Sequence, residues 1–249
     1  KDSLFPTEIV PLPSKGLVYP KDHPLSSGTV EVKYMTAKQE DILTNQNLLK
    51  TGRALDELYK SLVVGNGQGE PINIDEMTMG DRSALMLAAR ILGYGSDYEI
   101  TITHPRTGQS FQHVVDLNEL KPREVDFSLF NNSREFEFEL PVSKKSVVFA
   151  LNTSVEQRKI DNDLKAQEKA GVPPRNTTTM LKHTIVSIDG DTDKKFIGEF
   201  VDNHLLARDS LELRNYILTV TPDYDLTIRV VNEKYAYDEE INLPINVDF

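Results

Sequence analysis

The sequence of 249 residues contains neither cysteine nor tryptophan. Without cysteine it can form no disulfide, iron–sulfur cluster or thiolate zinc site, and it has no cysteine nucleophile. Positive charge is also short: 28 Lys and Arg stand against 39 Asp and Glu, a formal net charge of −11. A chain of that sign repels phosphate backbones and anionic lipid, so neither nucleic-acid nor membrane binding is expected. Long apolar runs are missing too. The most apolar helix-like segment, residues 83–92, is short and carries Arg90, so it cannot span a bilayer. The opening KDSLFPTEIVPLP has no uninterrupted apolar stretch, and no signal peptide is expected. The Asn-x-Ser/Thr triplets at Asn131, Asn152 and Asn176 are accordingly read as chance.

What remains is 39% hydrophobic, enough for a buried core in one or two domains. Pro11, Pro13, Gly16 and Pro20 mark the start as an irregular or edge segment. Residues 29–34 alternate as a strand, and Thr36 with Gln39 has the spacing of a helix capping box. Residues 47–63 read as one helix despite Gly52, and a second opens at Asp81 or Met79 and reaches Leu92, closed by Gly93 and Gly95. Residues 98–103 and 110–117 form a hairpin pattern. After a mixed linker come strands at 135–140 and 146–151, a helix from Thr153 or Ser154 to about Lys169, and a loop-like Gly171–Thr179. A strand at 184–188, helices at 194–203 and 207–218, and a closing hairpin at 224–231 and 240–244 complete the order.

A duplication lies within this order. Sliding residues 82–117 by 126 positions onto 208–243 makes ten of 36 positions identical, against about two from ordinary residue usage. The matches include Leu85/Leu211, Leu92/Leu218, Asp97/Asp223, Tyr98/Tyr224 and Leu117/Leu243. Any helix followed by a hairpin would share part of such a score. A fainter echo precedes it: LPSKG, strand and T-AKQEDIL against LPVSKK, strand and T-SVEQRKI. The expected fold is therefore α+β, built of two diverged pseudo-repeats, each a strand–helix–helix–β-hairpin unit. The expected division is 1–125 and 133–249, with a loop insertion around 170–181 in the second.

No motif points to catalysis. Gly65, Gly67 and Gly69 lack the Lys-Ser/Thr of a phosphate loop. Asp189, Asp191 and Asp193 resemble the start of a calcium loop, but Lys194 stands where glycine is needed and Phe200 where the bidentate Glu belongs, so an acidic turn is expected. The five histidines show no metal-ligand spacing, and there is no G-x-S-x-G elbow or His-Glu-x-x-His. One segment stands out, Leu12-Pro13-Ser14-Lys15-Gly16 followed by Leu17-Val18-Tyr19-Pro20. Pro13 fixes one backbone angle and Gly16 permits a positive one, so the segment has a defined bend. It can be a strand tucked against its own core or an anchor presented to a partner, and Leu12, Pro13, Ser14, Lys15, Gly16 and Tyr19 are the candidate partner-binding residues.

At these residues the chain resembles the base plate protein family of T4-like contractile-tailed bacteriophages. The family opens with L-P-S-K-G-x-x-Y-P, matched by Leu12 to Pro20, then a strand and a T-x-x-x-E-x-x-L helix, matched by Thr36 to Leu43. A G-D-R helix, a D-Y hairpin and a D-L ending follow at Gly80-Asp81-Arg82, Asp97-Tyr98 and Asp116-Leu117. Relatives often carry C-P-x-C-G in the hairpin turn, similar to a zinc knuckle. This chain has His104-Pro105-Arg106-Thr107-Gly108 in one copy and Val230-Val231-Asn232-Glu233-Lys234 in the other. The turns at His104 and Thr107, and at Val230 and Glu233, are thus expected to be knuckle-shaped without metal, and no cofactor is expected. The resemblance implies a non-enzymatic role in building the baseplate hub inside the infected host cytoplasm. The chain would be an assembly chaperone binding hub or tape-measure components, or a permanent structural subunit of the virion, and a homo- or hetero-oligomer is compatible with either.

Overall fold

The computed structural model describes residues 6–245. Its elements are β1 (Thr7–Pro11), β2 (Thr29–Lys33), α1 (Ala37–Thr44), α2 (Gln46–Thr51), α3 (Ala54–Leu62), β3 (Val63–Gly65), α4 (Met79–Tyr94), β4 (Asp97–Thr103) and β5 (Ser110–Asp116). The second half runs β6 (Glu135–Glu139), β7 (Ser146–Ala150), α5 (Ser154–Lys169), α6 (Asn176–Thr184), β8 (Ile185–Ile188), α7 (Lys194–Asn203), α8 (Ala207–Thr219), β9 (Thr227–Asn232) and β10 (Tyr237–Asn242). Each half holds a three-stranded antiparallel sheet, β1-β2-β3 or β6-β7-β8, and a separate two-stranded hairpin, β4-β5 or β9-β10. The fold is α+β and consists of two pseudo-repeats.

The repeats agree in detail finer than element order. The middle strand of each sheet breaks register at the matching place, between Glu31 and Val32 in the first and between Val148 and Phe149 in the second. The helix after that strand begins with the same capping box in both: Gln39 accepts from the Thr36 N–H, and Glu156 from the Thr153 N–H. In the hairpins Ile100 pairs with His113 and Ile228 with Ile241, so a shift of 128 positions carries one register onto the other. The same shift superposes β1 on β6, Asp81 on Asp209 and the buried Leu85 on the buried Leu213.

The spatial correspondence is thus 128, two positions away from the best sequence offset. A two-residue slip rotates a helix by about 200°. It accordingly leaves Leu211 and Leu218, matched in sequence to the inward Leu85 and the half-buried Leu92, on the surface of α8 at 47% and 59% exposure. Val230 likewise does not lie in a turn. It is fully buried in β9 opposite Glu239, and the second hairpin turns through Glu233–Ala236.

Three further differences have local causes. The long helix over 47–63 is two helices, because Gly52 takes φ +69° and caps α2 with its N–H on Leu48 and Leu49. Val63–Gly65 is a third strand too short to leave an alternating signature. The loop-like GVPPRNTTT is loop only to Arg175; the threonines enter α6, where Thr179 is buried and bonded by Gln167.

Two apolar clusters hold the molecule together, and both draw on both repeats. The larger joins Leu12, Val30, Leu58 and Leu85 with Phe149, Ile185, Phe200 and Leu213. The smaller is a sandwich of the two hairpins, with Tyr98, Ile100, Ile102 and Phe111 from one packed against Val230, Tyr237 and Leu243 from the other over Leu87 of α4.

Candidate functional site

The Leu12–Tyr19 segment is wrapped around one buried acid. Asp81, in the first turn of α4, has no exposed surface. Its Oδ1 accepts the Ser14 N–H at 2.9 Å, and its Oδ2 accepts the Ser14 hydroxyl at 2.6 Å and the Tyr19 hydroxyl at 2.7 Å. Tyr19 in turn accepts the Thr78 N–H, an amide at the start of the helix. The polypeptide can make this loop because Gly16 takes φ +78° and because a Cβ there would overlap the Ser26 carbonyl oxygen. Burial raises the Asp81 pKa; the Ser14 and Tyr19 hydrogen bonds pull the other way without offsetting it, and the charge of Asp223 adds to the rise. Burial, then the neighbouring Asp81 charge, lifts the Tyr19 phenol well above its ordinary value.

The second repeat repeats this clasp. Asp209, equally buried in the first turn of α8, accepts the Val142 N–H at 2.8 Å and the Ser143 N–H at 3.0 Å. Leu140-Pro141 thus takes the place of Leu12-Pro13. Burial works against the Asp209 charge, but those amide bonds outweigh it and its pKa is lowered.

The remaining letters of G-D-R also have structural duties. Gly80 lies under the Pro222 carbonyl oxygen of the second repeat, which a Cβ would overlap. Arg82 is buried, pairs with Asp56 and lies over the Tyr59 ring. The junction between repeats is completed by a Thr78–Thr153 bridge, the Met79 N–H on Asn152 O at 2.9 Å and the Ser154 hydroxyl on Asp75 at 3.0 Å.

The sequence-derived site residues therefore fall mostly inside. Leu12, Pro13, Ser14, Gly16 and Tyr19 are buried, and only Lys15 of that set is exposed, 4.3 Å above the Phe127 ring. Tyr19 does reach one edge of an open cleft of about 440 Å³ between the repeats, with His23, Glu76, Arg134, Val155 and Glu156 on its walls. The first knuckle-like turn is closed by its own backbone. His104 is buried, its Nδ1 accepts the Arg106 N–H, its ring meets Tyr237 edge-on, and Thr107 Oγ1 accepts the Gln109 N–H. Among the described residues no three His, Asp or Glu side chains gather as a metal site. Asp189 and Asp193 serve as caps, the first on the Ser146 N–H with an ion pair to Lys145, the second on the start of α7. The roles of Asp209 and of the inter-repeat cleft are not visible in the sequence, and Gly80 is visible there only as a letter of G-D-R. The signal for the first was present: Leu-Pro in each half is followed by an Asp in the first turn of a later helix.

A family model described as T4 bacteriophage base plate protein matches residues 18–249, nearly the whole chain, and the chain belongs to that family. No curated protein and no solved structure matches it. No helix among the described residues is long and apolar enough to cross a membrane.

Proposed function

From membership of the base plate protein family, we propose that this chain is a non-catalytic assembly factor for the phage tail baseplate hub. It would hold a hub or tape-measure component in the host cytoplasm until the ordered complex forms. The observation that supports this reading is how the polar groups are used. The buried acids Asp81 and Asp209 are committed to holding the frame through donors of their own repeat. What faces outward is acidic strand surface, Glu135, Glu137 and Glu139 on β6, with Glu135 on the wall of the inter-repeat cleft, and Asp238, Glu239 and Glu240 on β10. Such a surface selects a partner by charge complementarity and keeps the free factor soluble. Binding by the Leu12–Tyr19 segment would then be exerted through Lys15 and the Tyr19 edge of the cleft.

Quantitative mass spectrometry of purified particles, paired with pull-down from infected cells, tests this. The chain should co-purify with hub intermediates and be absent from finished tails. Stoichiometric presence in the virion would instead establish the second reading, a permanent hub subunit.

A further inference from the structure

Each two-stranded hairpin is a sheet of its own, so among the described residues both of its edges lack a further strand. An open edge is a template for another chain, and proteins blunt it with charge, proline, a bulge or short length. In this fold β1 ends in Pro11, β3 is three residues long, β8 is largely buried, β9 carries Arg229, and β4, β6 and β10 carry two or three acids each. β5 has none of these devices. From Ser110 to Val115 it holds no Lys, Arg, Asp, Glu, Pro or Gly, and its register with β4 runs through seven pairs without a bulge.

The bonds at the two ends of the β4-β5 hairpin fix which backbone groups face outward. His104 N–H donates to Gln109 O at 2.8 Å, and Leu117 N–H to Ser96 O at 2.9 Å. Antiparallel strands bond at alternate positions. Phe111, His113 and Val115 therefore bond to β4, while the backbone groups of Ser110, Gln112 and Val114 point away from it. Those three residues are exposed, Val114 to 53%. Gln112 is half used: its Oε1 accepts from the Thr101 hydroxyl of β4 at 3.0 Å, and its side-chain NH2 has no acceptor among the described residues.

The two sides of the hairpin sandwich differ in charge. β5 and β9 share one side, where Asp116 and Arg229 line a common hollow. β4 and β10 share the other, joined by the Tyr98 hydroxyl on Pro244 O and the His104–Tyr237 ring contact. There Asp97, Glu99, Asp238 and Glu240 stand at outward-bonding positions, all exposed. In a chain of net charge −11 the acidic side repels a second copy at short range, and the uncharged β5 edge does not.

We propose that β5 pairs with β5 of a second copy, antiparallel about a two-fold at Gln112, so that two hairpins become one four-stranded sheet. In that register Ser110 of one copy faces Val114 of the other, Gln112 faces Gln112, and no acid stands opposite an acid. The free NH2 of each Gln112 donates to the carboxamide oxygen across the two-fold, which extends the Thr101–Gln112 ladder through the joined sheet. The contact is isologous and closes at the dimer. It is independent of whether the chain is a chaperone or a hub subunit.

Sedimentation velocity of the full chain up to about 100 μM, where micromolar association is populated, should show monomer–dimer exchange and nothing larger. Gln112→Lys and Gln112→Glu each set like charges opposite one another, and each should weaken the dimer about tenfold or more with unchanged circular dichroism. The two variants change net charge in opposite senses, so a loss in both is not a net-charge effect. Their equimolar mixture should recover a mixed dimer, because opposite charges then face each other across the two-fold. Under mild oxidation Gln112→Cys should form a disulfide-linked dimer, since bonded antiparallel pairs lie about 5.5 Å apart at Cα. The chain has no native cysteine to compete, and Glu99→Cys on the acidic side should stay monomeric. A wild-type chain that remains monomeric throughout overturns the proposal. So does a dimer that both Gln112 variants leave intact, or that their mixture fails to restore. A monomeric wild type whose capture of another phage protein is lost in Gln112→Lys would assign the edge to a foreign strand, and would also overturn pairing between copies.

Discussion

At the scale of single residues, the two equivalent aspartates offer opposed behaviour from the same position. Asp81 lies in a buried site beside Asp223, and its pKa is raised; Asp209 is served by two backbone amides, and its pKa is lowered. A raised pKa in the folded state means that the group favours folding most when protonated, and that this contribution is lost as pH climbs through the folded value. A lowered pKa reverses the sense: the contribution is present above the unfolded value and is lost as pH falls through the folded one. The stability advantage of wild type over Asp81→Asn should therefore shrink as pH rises above about 4, while its advantage over Asp209→Asn should hold there and fall below about pH 4. Urea denaturation of the three proteins across that range measures both, and parallel pH dependences would contradict this account of the clasps. Removal of the carboxyl altogether is harsher. Asp81→Ala strands the Ser14 and Tyr19 donors in a dry site and should cost about 3 kcal/mol or more of unfolding free energy. Such residues are hard to see in the sequence, because Asp81 is visible only as the middle letter of a short motif and the segment of Ser14 and Tyr19 reads equally as a strand tucked against its own core or as an anchor for a partner. What made them internal is a contact across 67 and 62 residues, which no local pattern encodes.

At the scale of elements, local chemistry was legible wherever the stabilising group lies within a few residues. The first capping box, the strand at β2 and the first hairpin follow from spacing alone, and the structure has them; the second helix start, open between Thr153 and Ser154 in the sequence, is capped by Thr153. The duplication was legible too, but its register was not. A slip of two residues keeps every strand side chain on its own face, so the hairpins could not expose the error. Only a helix could, by turning Leu211 outward, and amphipathicity in α8 is blunted by precisely such exposed leucines. Two element-level outcomes follow. Thr153→Ala removes the cap of α5, whose hydroxyl accepts the Val155 N–H, and should cost about 1 kcal/mol in chemical denaturation. Gly80→Ala should cost about 1–3 kcal/mol, since its methyl group meets the Pro222 carbonyl rather than a side chain that can turn aside. The equivalent residue in the second repeat is Arg208, exposed, and Arg208→Ala should leave the melting temperature of the monomer nearly unchanged. A matching loss at both positions would mean that the two helix starts are equally covered, against the asymmetry described above.

At the scale of the whole molecule, the two repeats at 1–125 and 133–249 are proposed as units of ancestry rather than of folding. Each hairpin is only two strands wide, a form that is marginal in water without something to cover it. Here the cover for each is the other: Phe111 stacks on Tyr235 at 5.0 Å and meets Tyr237 edge-on at 5.3 Å, and the Tyr98 hydroxyl reaches Pro244 O at 3.2 Å. The larger cluster likewise takes apolar side chains from β2, α3 and α4 together with β7, β8 and α8. Expressed singly, residues 1–125 and 133–249 should therefore each lack a cooperative thermal transition, and the first should bind a hydrophobic dye through its uncovered Tyr98, Ile100 and Phe111. Mixed in equal amounts, they should regain a single transition, because the Thr78–Thr153 bridge, the Gly80–Pro222 seat and the hairpin sandwich need no peptide bond between the halves. Calorimetry of each half and of the mixture decides the matter: a half that melts cooperatively near the temperature of the intact chain would make the repeats independent domains, and the shared clusters would then be an interface rather than a core.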